Sequence, residues 1–427
     1  MAGNLEKFQS PGRGNGLRAV RSLCPGVTVF KAEPYVYTVC HGKQYRAACH
    51  HCLRRGTKLL RCSQCKFARY CDVRCQKAAW EGHKRECMCL KCVLPNIPTD
   101  SVRLVGRIIF KLLQSPDCDS EELYSLSDLQ SHIKELSEEM KDGLGQLVTT
   151  LELYLKNQIQ DSSQLPPGCG IIELFGKVTC NSFTISDGEM QDVAVGLYPS
   201  MSLLNHSCDP NCVIVFEGRC LLLRTVKEIP KGEELTISYI DVMMPTHQRQ
   251  SQLQRQYCFT CDCHQCLSRD KAEDMLAGDE QSSKKMESSL ARIKGLQYQE
   301  SEEKEVLGMC KALLNSSQLP DRNIHQLKVL DCALDMCINL GLWEEALSFG
   351  LRTLQPYSLY YSNYHPVRVI QIMKVGKLQH YLGMFPEAME TLKQAFDIMK
   401  VTHGDDHSIM KDLRELLGDC ASSMNAT

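Results

Sequence analysis

Asn205-His206-Ser207-Cys208-Asp209-Pro210-Asn211 is the stretch of this sequence from which the fold is predicted most directly. It precedes a segment, Cys212 to Tyr239, whose short apolar runs are typical of β-strands. A polar run of this kind is often a loop with an Asx-turn before the proline, and alone it predicts no function. Its meaning depends on the patterns that accompany it elsewhere in the chain.

Three short patterns accompany the Asn205–Asn211 stretch. The first is a glycine-rich turn, Arg13-Gly14-Asn15-Gly16, and the second is a Gly-Glu-Glu-Leu-Thr-x-x-Tyr segment that ends at Tyr239. The third is Cys-x-Cys-x-x-Cys, from Cys261 to Cys266, which is one ligand short of a tetrahedral metal site. The glycines do not form a dinucleotide-binding fingerprint, because their spacing is wrong and no strand is predicted before them.

The composition narrows the class of protein. The chain has 427 residues, of which 43% are hydrophobic and 23% charged, which is typical of a soluble protein with two or three domains. No apolar run approaches the roughly 18 residues of a membrane helix, and Met1 to Lys7 lacks a signal-peptide core. We therefore expect an intracellular protein with no membrane association. In a reducing compartment, 25 cysteines indicate metal binding rather than disulfides.

Four pairs of metal-ligand residues lie close together near the N-terminus. Zinc prefers four sulfur or imidazole ligands, and a two-residue gap allows one tight turn to present two of them. Eight ligands form two closed sites, so the sequence predicts two structural zinc ions, although spacing alone does not show which pairs share an ion. The candidate ligands are Cys49 and Cys52, Cys62 and Cys65, Cys71 and Cys75, and His83 and Cys87.

The same part of the chain is strongly basic. Between His41 and Lys91 there are 13 Lys and Arg residues and three Asp and Glu residues. Such a patch can bind nucleic acid or an acidic partner weakly, and it can equally be the solvated surface of a small zinc module.

The hydrophobic pattern predicts helices in the middle of the chain and short strands around the Asn205–Asn211 stretch. The predicted helices follow Asp100, cover Leu123–Leu136 and Leu144–Ile159, and resume at Ile171–Val178. The predicted strands are Cys212–Phe216, Cys220–Arg224 and Leu235–Ile240. Asp279–Lys285 is polar and is interpreted as a linker.

Everything after the linker is predicted to be helical, with an internal repeat. Leu340-Gly-Leu-Trp-Glu-Glu-Ala-Leu347 matches Leu382-Gly-Met-Phe-Pro-Glu-Ala-Met389 at an offset of 42, and His365 and His407 share that offset. Helix pairs joined at such a motif are typical of tetratricopeptide arrays, although the usual period is shorter. A degenerate earlier copy near Leu290–Leu314 is possible. The array could form a binding groove or a plain bundle.

Together these motifs resemble the SET and MYND domain family of protein-lysine methyltransferases, and the resemblance covers almost the whole chain. It implies an α+β fold: a small, mostly β SET body split by a zinc-binding MYND finger and a helical insert, a cysteine-rich post-SET segment, and an all-α, tetratricopeptide-like C-terminal domain. The implied boundaries are 1–45 for the N-terminal part of SET, 49–87 for the MYND finger, 97–180 for the insert, 181–242 for core SET, 243–269 for the post-SET segment and 279–427 for the helical domain.

The resemblance also implies an activity and its residues. The activity is methyl transfer from S-adenosyl-L-methionine to a lysine amine, with Tyr239 as the catalytic tyrosine and Phe183 and Tyr257 as walls of the lysine channel. The implied cofactor contacts are Arg13, Gly14, Asn15, Tyr124, His132, Asn181, Asn205, His206, Tyr239 and Phe259. The family usually has Asn where this chain has His132.

Metal ligation follows the resemblance in the same way. The first and third MYND pairs would share one zinc ion and the second and fourth pairs another. A third structural zinc would be held by Cys208 together with Cys261, Cys263 and Cys266.

Partners and location are also implied only by the resemblance. Family members methylate histone tails and signalling proteins, including a MAP kinase kinase kinase, and occur in cytoplasm and nucleus. We expect a monomer, a chaperone or peptide partner on the C-terminal helices, and weak DNA binding by the basic MYND finger. The alternative hypothesis is a non-catalytic adaptor whose finger and helical repeats bind peptides or nucleic acid. The presence of Tyr239 favours the enzyme.

Overall fold

The computed structural model describes residues 2–42, 45–114, 123–167, 170–268, 271–296 and 302–426. Short parts of the predicted insert, post-SET segment and C-terminal domain, including residues 297–301 of the possible early repeat, lie outside the described residues. Among the described helices, none combines the length and apolarity that crossing a membrane requires.

Within the described residues the strands form five small sheets. Their strand orders are β1-β2, β10-β11-β3, β12-β9, β4-β8-β7 and β5-β6. The strands are β1 Leu5–Ser10, β2 Gly14–Ala19, β3 Thr28–Ala32, β4 Val36–Val39, β5 Leu60–Arg61, β6 Arg69–Tyr70, β7 Ser182–Ser186, β8 Asp192–Leu197, β9 Asn205–His206, β10 Cys212–Glu217, β11 Cys220–Thr225 and β12 Thr236–Ile237. The predicted hairpin of β10 and β11 is confirmed, whereas the third predicted strand shortens to the two residues of β12.

The shortest sheet fixes the Asn205–Asn211 stretch in place. β9 pairs in parallel with β12, with Asn205 opposite Thr236. The Thr236 backbone N–H donates to Asn211 Oδ1 at 2.8 Å, and Asn211 Nδ2 donates to the Glu234 carbonyl at 2.8 Å. Both ends of the stretch are therefore bonded to the segment that leads to Tyr239.

Four of the described α-helices lie between β6 and β7 in the sequence. They are α1 Val73–Val93, α2 Asp100–Gln114, α3 Glu138–Leu155 and α4 Ile171–Asn181. α2 lies at the centre of this group, since it contacts α1, α3, α4 and β4. Its apolar residues from Val102 to Phe110 are buried, as the helical periodicity predicts.

One predicted helix of this region is wrong. Leu123–Leu136 contains only a single 3-10 turn, Ile133–Glu135. Ser125 and Asp128 explain the difference, because their side chains bond each other's backbone N–H groups at 3.0 and 3.3 Å. Such local side-chain bonds compete with helix formation.

The chain continues through ten further helices within the described residues. They are α5 Thr246–Tyr257, α6 His264–Leu267, α7 Ala272–Met275, α8 Glu280–Leu296, α9 Glu303–Ser316, α10 Ile324–Asn339, α11 Trp343–Tyr360, α12 Pro366–Tyr381, α13 Phe385–Thr402 and α14 Ser408–Ala426. The predicted linker at Asp279–Lys285 is also wrong, because it forms the first turns of α8. The Asp279 carboxylate accepts the Ser282 N–H at 2.7 Å there, as a helix N-cap residue does.

The internal repeat forms two helix pairs, as predicted. Gly341 and Gly383 have φ of +71° and +74°, the left-handed conformation that ends a helix, and they separate α10 from α11 and α12 from α13. Ala346 and Ala388 are equivalent and both fully buried. His365 and His407 are equivalent as well, since each Nδ1 accepts the backbone N–H two residues further on.

The helical domain docks on the β body at separate points. Arg224 of β11 donates to the Val401 carbonyl at 3.0 Å, and His407 Nε2 donates to the Phe216 carbonyl at 3.0 Å. At another point the Tyr361 hydroxyl donates to Asp241 Oδ1 at 2.9 Å. The last contact places the helical domain two residues from Tyr239.

Candidate active site and metal centres

Asn205 joins three segments that are distant in sequence. Its Nδ2 donates to the Asn15 carbonyl at 3.1 Å and to Glu234 Oε1 at 2.8 Å, and the other carboxylate oxygen of Glu234 accepts the Ser10 hydroxyl at 3.0 Å. Gly16 leaves room for this carboxylate, because a Cβ there would lie 2.5 Å from Glu234 Oε1 and would displace it. The glycine-rich turn is thus attached to the Asn205–Asn211 stretch.

The outer side of the same turn faces open space. Gly14 has φ of +76°, and an added Cβ would meet no atom within 4 Å. Beside it, Asn15 Nδ2 donates to the Tyr124 hydroxyl at 3.3 Å. Arg13 forms an ion pair with Asp262 at 2.6 Å, which connects the turn to the post-SET segment. The structure therefore brings Arg13, Gly14, Asn15, Tyr124 and Asn205 together, although they span 193 positions of sequence.

Tyr239 lies at the centre of a group of aromatic rings. Its hydroxyl donates to the Leu204 carbonyl, and its ring lies 4.8 Å from the Tyr257 ring and 6.3 Å from the Phe259 ring. Burial and the neighbouring Tyr257 raise the pKa of Tyr239 above its ordinary value, and burial raises the pKa of Tyr257 to about 12. Both hydroxyls therefore stay protonated at neutral pH.

Phe183 lies apart from this group of rings. It is on β7, and its ring packs edge-on against Tyr198 at 5.7 Å. β7 directly follows α4, and the end of α4 meets the end of α5, where Cys180 Sγ lies 3.5 Å from the Gln256 carbonyl oxygen.

His206 links the aromatic group to the third cysteine group. Its Nδ1 accepts the Tyr239 backbone N–H at 3.0 Å, and its Nε2 lies 3.3 Å from Cys208 Sγ. Burial lowers the pKa of His206 to about 4, so the ring is neutral and its Nε2–H points to the sulfur. Both ring nitrogens have partners within the protein. A cofactor contact of His206 is therefore left to its backbone or ring edge.

Asn181 and His132, the remaining predicted cofactor contacts, lie at the side of the site formed by α4. Asn181 Nδ2 donates to the Gln130 carbonyl at 2.9 Å and to the Lys177 carbonyl at 2.8 Å. His132 has φ of +51°, and its Nδ1 lies 3.9 Å from the Glu135 carboxylate. Asn181 thus binds the backbone of the segment before His132, and His132 is part of that backbone.

The structure groups the predicted metal ligands into three sets of four. Within each set the ligand atoms lie within 4.8 Å of one another. In the MYND finger the first pair joins the third and the second joins the fourth, as the resemblance implied. The sets are Cys49, Cys52, Cys71 and Cys75; Cys62, Cys65, His83 and Cys87; and Cys208, Cys261, Cys263 and Cys266. Thiolate and imidazole donors in fours, with no place for water, fit structural zinc.

Two charged residues support these sets and were not predicted from the sequence. Arg249 is 1% exposed and donates to Cys266 Sγ at 3.6 Å and to the Met244 carbonyl at 2.6 Å. Its charge offsets part of the negative charge that four thiolates carry. Glu86 is fully buried, and its carboxylate lies 3.6 Å from His83 Nδ1 and 3.2 Å from the Arg103 guanidinium. Only the folded chain reveals these partners, because neither belongs to a spacing motif.

Comparison with known proteins agrees with this geometry. The SET domain family matches residues 14–240. The chain is 55% identical to Histone-lysine N-methyltransferase SMYD3 from Homo sapiens and 54% identical to SMYD3 from Mus musculus, in both cases over 99% of either chain. It is 32% identical to N-lysine methyltransferase SMYD2 from Gallus gallus over 98% of either chain.

The chain therefore belongs to the SET-domain family, as a member of its SMYD-type protein-lysine methyltransferases. The predicted resemblance and α+β fold class are confirmed, and an enzyme is favoured over a non-catalytic adaptor.

Proposed function

We propose that this protein transfers a methyl group from S-adenosyl-L-methionine to the side-chain amine of lysine in histone tails and in non-histone signalling proteins. The observation that carries the proposal is the position of Tyr239. Its protonated hydroxyl is half-buried beside Tyr257. Asn205 and Asn211 hold the segment that leads to Tyr239, and Asn205 also bonds the glycine-rich turn.

The residues around the glycine-rich turn fit the cofactor. The backbone at Gly14 borders open space, the Arg13 guanidinium next to it is ion-paired with Asp262 at 2.6 Å, and the rings of His206 and Phe259 lie 5.8 Å apart. Arg13, Asn15, Asn205 and the His206 backbone would hold the amino-acid end of the cofactor, and Phe259 would pack on its adenine. When bound, the cofactor supplies an electrophilic methyl group on a sulfonium.

The aromatic group prepares the lysine for attack. A free lysine has a pKa of about 10.4 and must lose a proton before its nitrogen can act as a nucleophile. Tyr239 and Tyr257 do not serve as bases, since both stay protonated at neutral pH. A channel walled by rings instead disfavours the ammonium by desolvation, and the Tyr239 hydroxyl orients the neutral amine.

The three ligand sets would hold three structural zinc ions. The third ion matters most for catalysis, because Cys208 belongs to the Asn205–Asn211 stretch while Cys261 follows Phe259 by two residues. This ion would hold Tyr257 and Phe259 against Tyr239, and it would take no direct part in methyl transfer.

The substrates, partners and location come from the resemblance. We propose histone tails and a MAP kinase kinase kinase as substrates, a monomeric state, and residence in cytoplasm and nucleus. A chaperone or peptide would bind the helical repeats, where two shallow grooves lie between α13 and α14 and between α9 and the α10–α11 turn.

The test of the activity is transfer of labelled methyl groups to pools of histones and lysine peptides. Tyr239→Phe should remove most of the transfer, by roughly 100-fold or more as for other positioned catalytic groups, while fold and metal content remain. The matched control is Tyr154→Phe on α3, another buried tyrosine, which should transfer at nearly the normal rate. Equal rates for wild type and Tyr239→Phe would refute the role of the hydroxyl.

Weak nucleic-acid binding by the MYND finger is a separate proposal. Arg54, Lys58 and Arg61 are exposed, whereas Arg55 is engaged in an ion pair with Asp187 at 2.6 Å. Replacement of the three exposed residues by glutamine should therefore abolish salt-sensitive binding to a short DNA duplex. A titration that shows no binding of the wild type at low salt would remove the proposal.

A further inference from the structure

One face of α4 is shaped to hold the backbone of the segment from Tyr124 to Ile133, which we call the roof segment. It contains no helix before the 3-10 turn that begins at its last residue, Ile133, and Leu126 and Leu129 are buried. Its first residue is Tyr124, whose hydroxyl accepts a hydrogen bond from Asn15 Nδ2. The position of Tyr124 beside the glycine-rich turn therefore depends on what fixes the roof segment.

Lys177 of α4 makes two hydrogen bonds to the backbone of the roof segment. Lys177 is 7% exposed, and its Nζ donates to the carbonyls of Leu126 and Ser127, both at 3.1 Å. The Glu173 carboxylate lies 3.4 Å from the same atom, so the ammonium has two carbonyl acceptors and a counter-charge. A buried lysine is seldom found without such pairing, because taking its charge out of water is costly.

Two more residues on the same face make independent contacts. Gly176 lies against the roof segment so closely that a Cβ would be 2.6 Å from the Ser131 carbonyl oxygen and 2.7 Å from Ile133 Cδ1. One turn after Lys177, Asn181 donates to the Gln130 carbonyl at 2.9 Å. The helix thus offers a gap at Gly176, a cation at Lys177 and, one turn later, an amide at Asn181, each placed against the roof segment.

From these contacts we infer that Lys177 is a positioning residue for the cofactor: through Leu126 and Ser127 it sets the distance between Tyr124 and the glycine-rich turn. The inference rests on the proposed function. Lys177 touches neither cofactor nor substrate, and its effect passes through the backbone. It follows that cofactor affinity should respond to Lys177 more than the rate at saturating cofactor does.

The test compares Lys177→Met with the wild type in binding of S-adenosylhomocysteine and in methyl transfer. We expect the dissociation constant and the cofactor KM to rise about tenfold, with kcat changed less than about threefold. Lys177→Arg, which keeps buried donors, should restore part of the affinity. Lys141→Met is the control, because Lys141 is a half-buried lysine of α3 whose ion-pair partner, Glu138 at 2.8 Å, is exposed.

Gly176→Ala gives a second, independent perturbation, since the roof segment must move to admit the methyl group. Hydrogen exchange of the amides at 124–133 should become faster in Gly176→Ala and in Lys177→Met. The inference would be overturned if both variants bound S-adenosylhomocysteine with unchanged affinity. That conclusion would hold even if their thermal stability were lower. If the wild type itself failed to bind S-adenosylhomocysteine, the proposed function would fall instead.

Discussion

Replacement of Cys208 by serine tests whether the third metal set holds the aromatic group together. Cys208 is 3% exposed, and its Sγ lies 3.5 Å from Cys266 Sγ and 3.3 Å from His206 Nε2. Loss of an outer-shell partner alone weakens metal binding by about 10–100-fold, so loss of a ligand should weaken it further. We therefore expect two bound zinc ions per chain rather than three.

The effect on catalysis follows from how close two of the aromatic residues lie in sequence to a metal ligand. Tyr257 and Phe259 lie four and two residues before Cys261, which loses its anchor when the metal leaves. A displacement of about 1 Å at a catalytic group can cost roughly 100-fold in rate. Cys208→Ser should therefore lose about 100-fold or more in methyl transfer, while the MYND sets, which share none of its ligands, keep their metal.

The assay combines metal analysis, thermal unfolding and labelled methyl transfer on one preparation. Cys220→Ser, which changes a cysteine outside the three ligand sets, is the matched control and should keep three ions and its activity. Near-normal methyl transfer by Cys208→Ser with only two ions bound would refute the reasoning. Retention of all three ions would show that Cys208 is not a ligand.

Three further changes have predictable effects. Burial and the nearby Asp335 raise the pKa of Asp331 to about 7. The folded state therefore binds a proton more tightly than the unfolded state, and the free energy of unfolding falls as pH rises toward 7. Asp331→Asn should remove this fall and stabilise the protein at pH 8 by roughly 1–4 kcal/mol in urea unfolding. Glu86→Gln removes the buried carboxylate that pairs with both Arg103 and Arg107 and should cost about 3–5 kcal/mol in the same measurement. Arg224→Met leaves two carbonyls at the end of α13 without their donor, and should lower stability by about 2–4 kcal/mol and speed proteolysis between the β body and the helical domain. Unchanged urea midpoints would contradict each of these three expectations.

The sequence predicted those features that are recorded in local patterns. The metal ligands follow short spacings, and the helix pairs follow a repeated motif with glycines at Gly341 and Gly383. Asn205 and Cys208 were identified because a whole motif surrounds them. The fold class followed from the same motifs through the family resemblance.

What the sequence did not predict depends on contacts between distant positions. Lys177, Glu86 and Arg249 look like ordinary surface residues in sequence, and only their burial against carbonyls, guanidinium groups or sulfur reveals a role. Apolar periodicity also failed where local polar bonds prevail, as at Ser125. At Asp279 the polar composition of an exposed helix start was mistaken for a linker.

The most direct test of the account is to identify the product by mass spectrometry. The zinc-loaded wild type is incubated with S-adenosyl-L-methionine and an array of lysine-containing peptides from histone tails and signalling proteins. The account predicts added methyl groups on lysine side chains, and almost none when Tyr239→Phe replaces the wild type. Absence of any modified lysine with folded, metal-loaded wild-type protein, or methyl groups found only on other residue types, would contradict it.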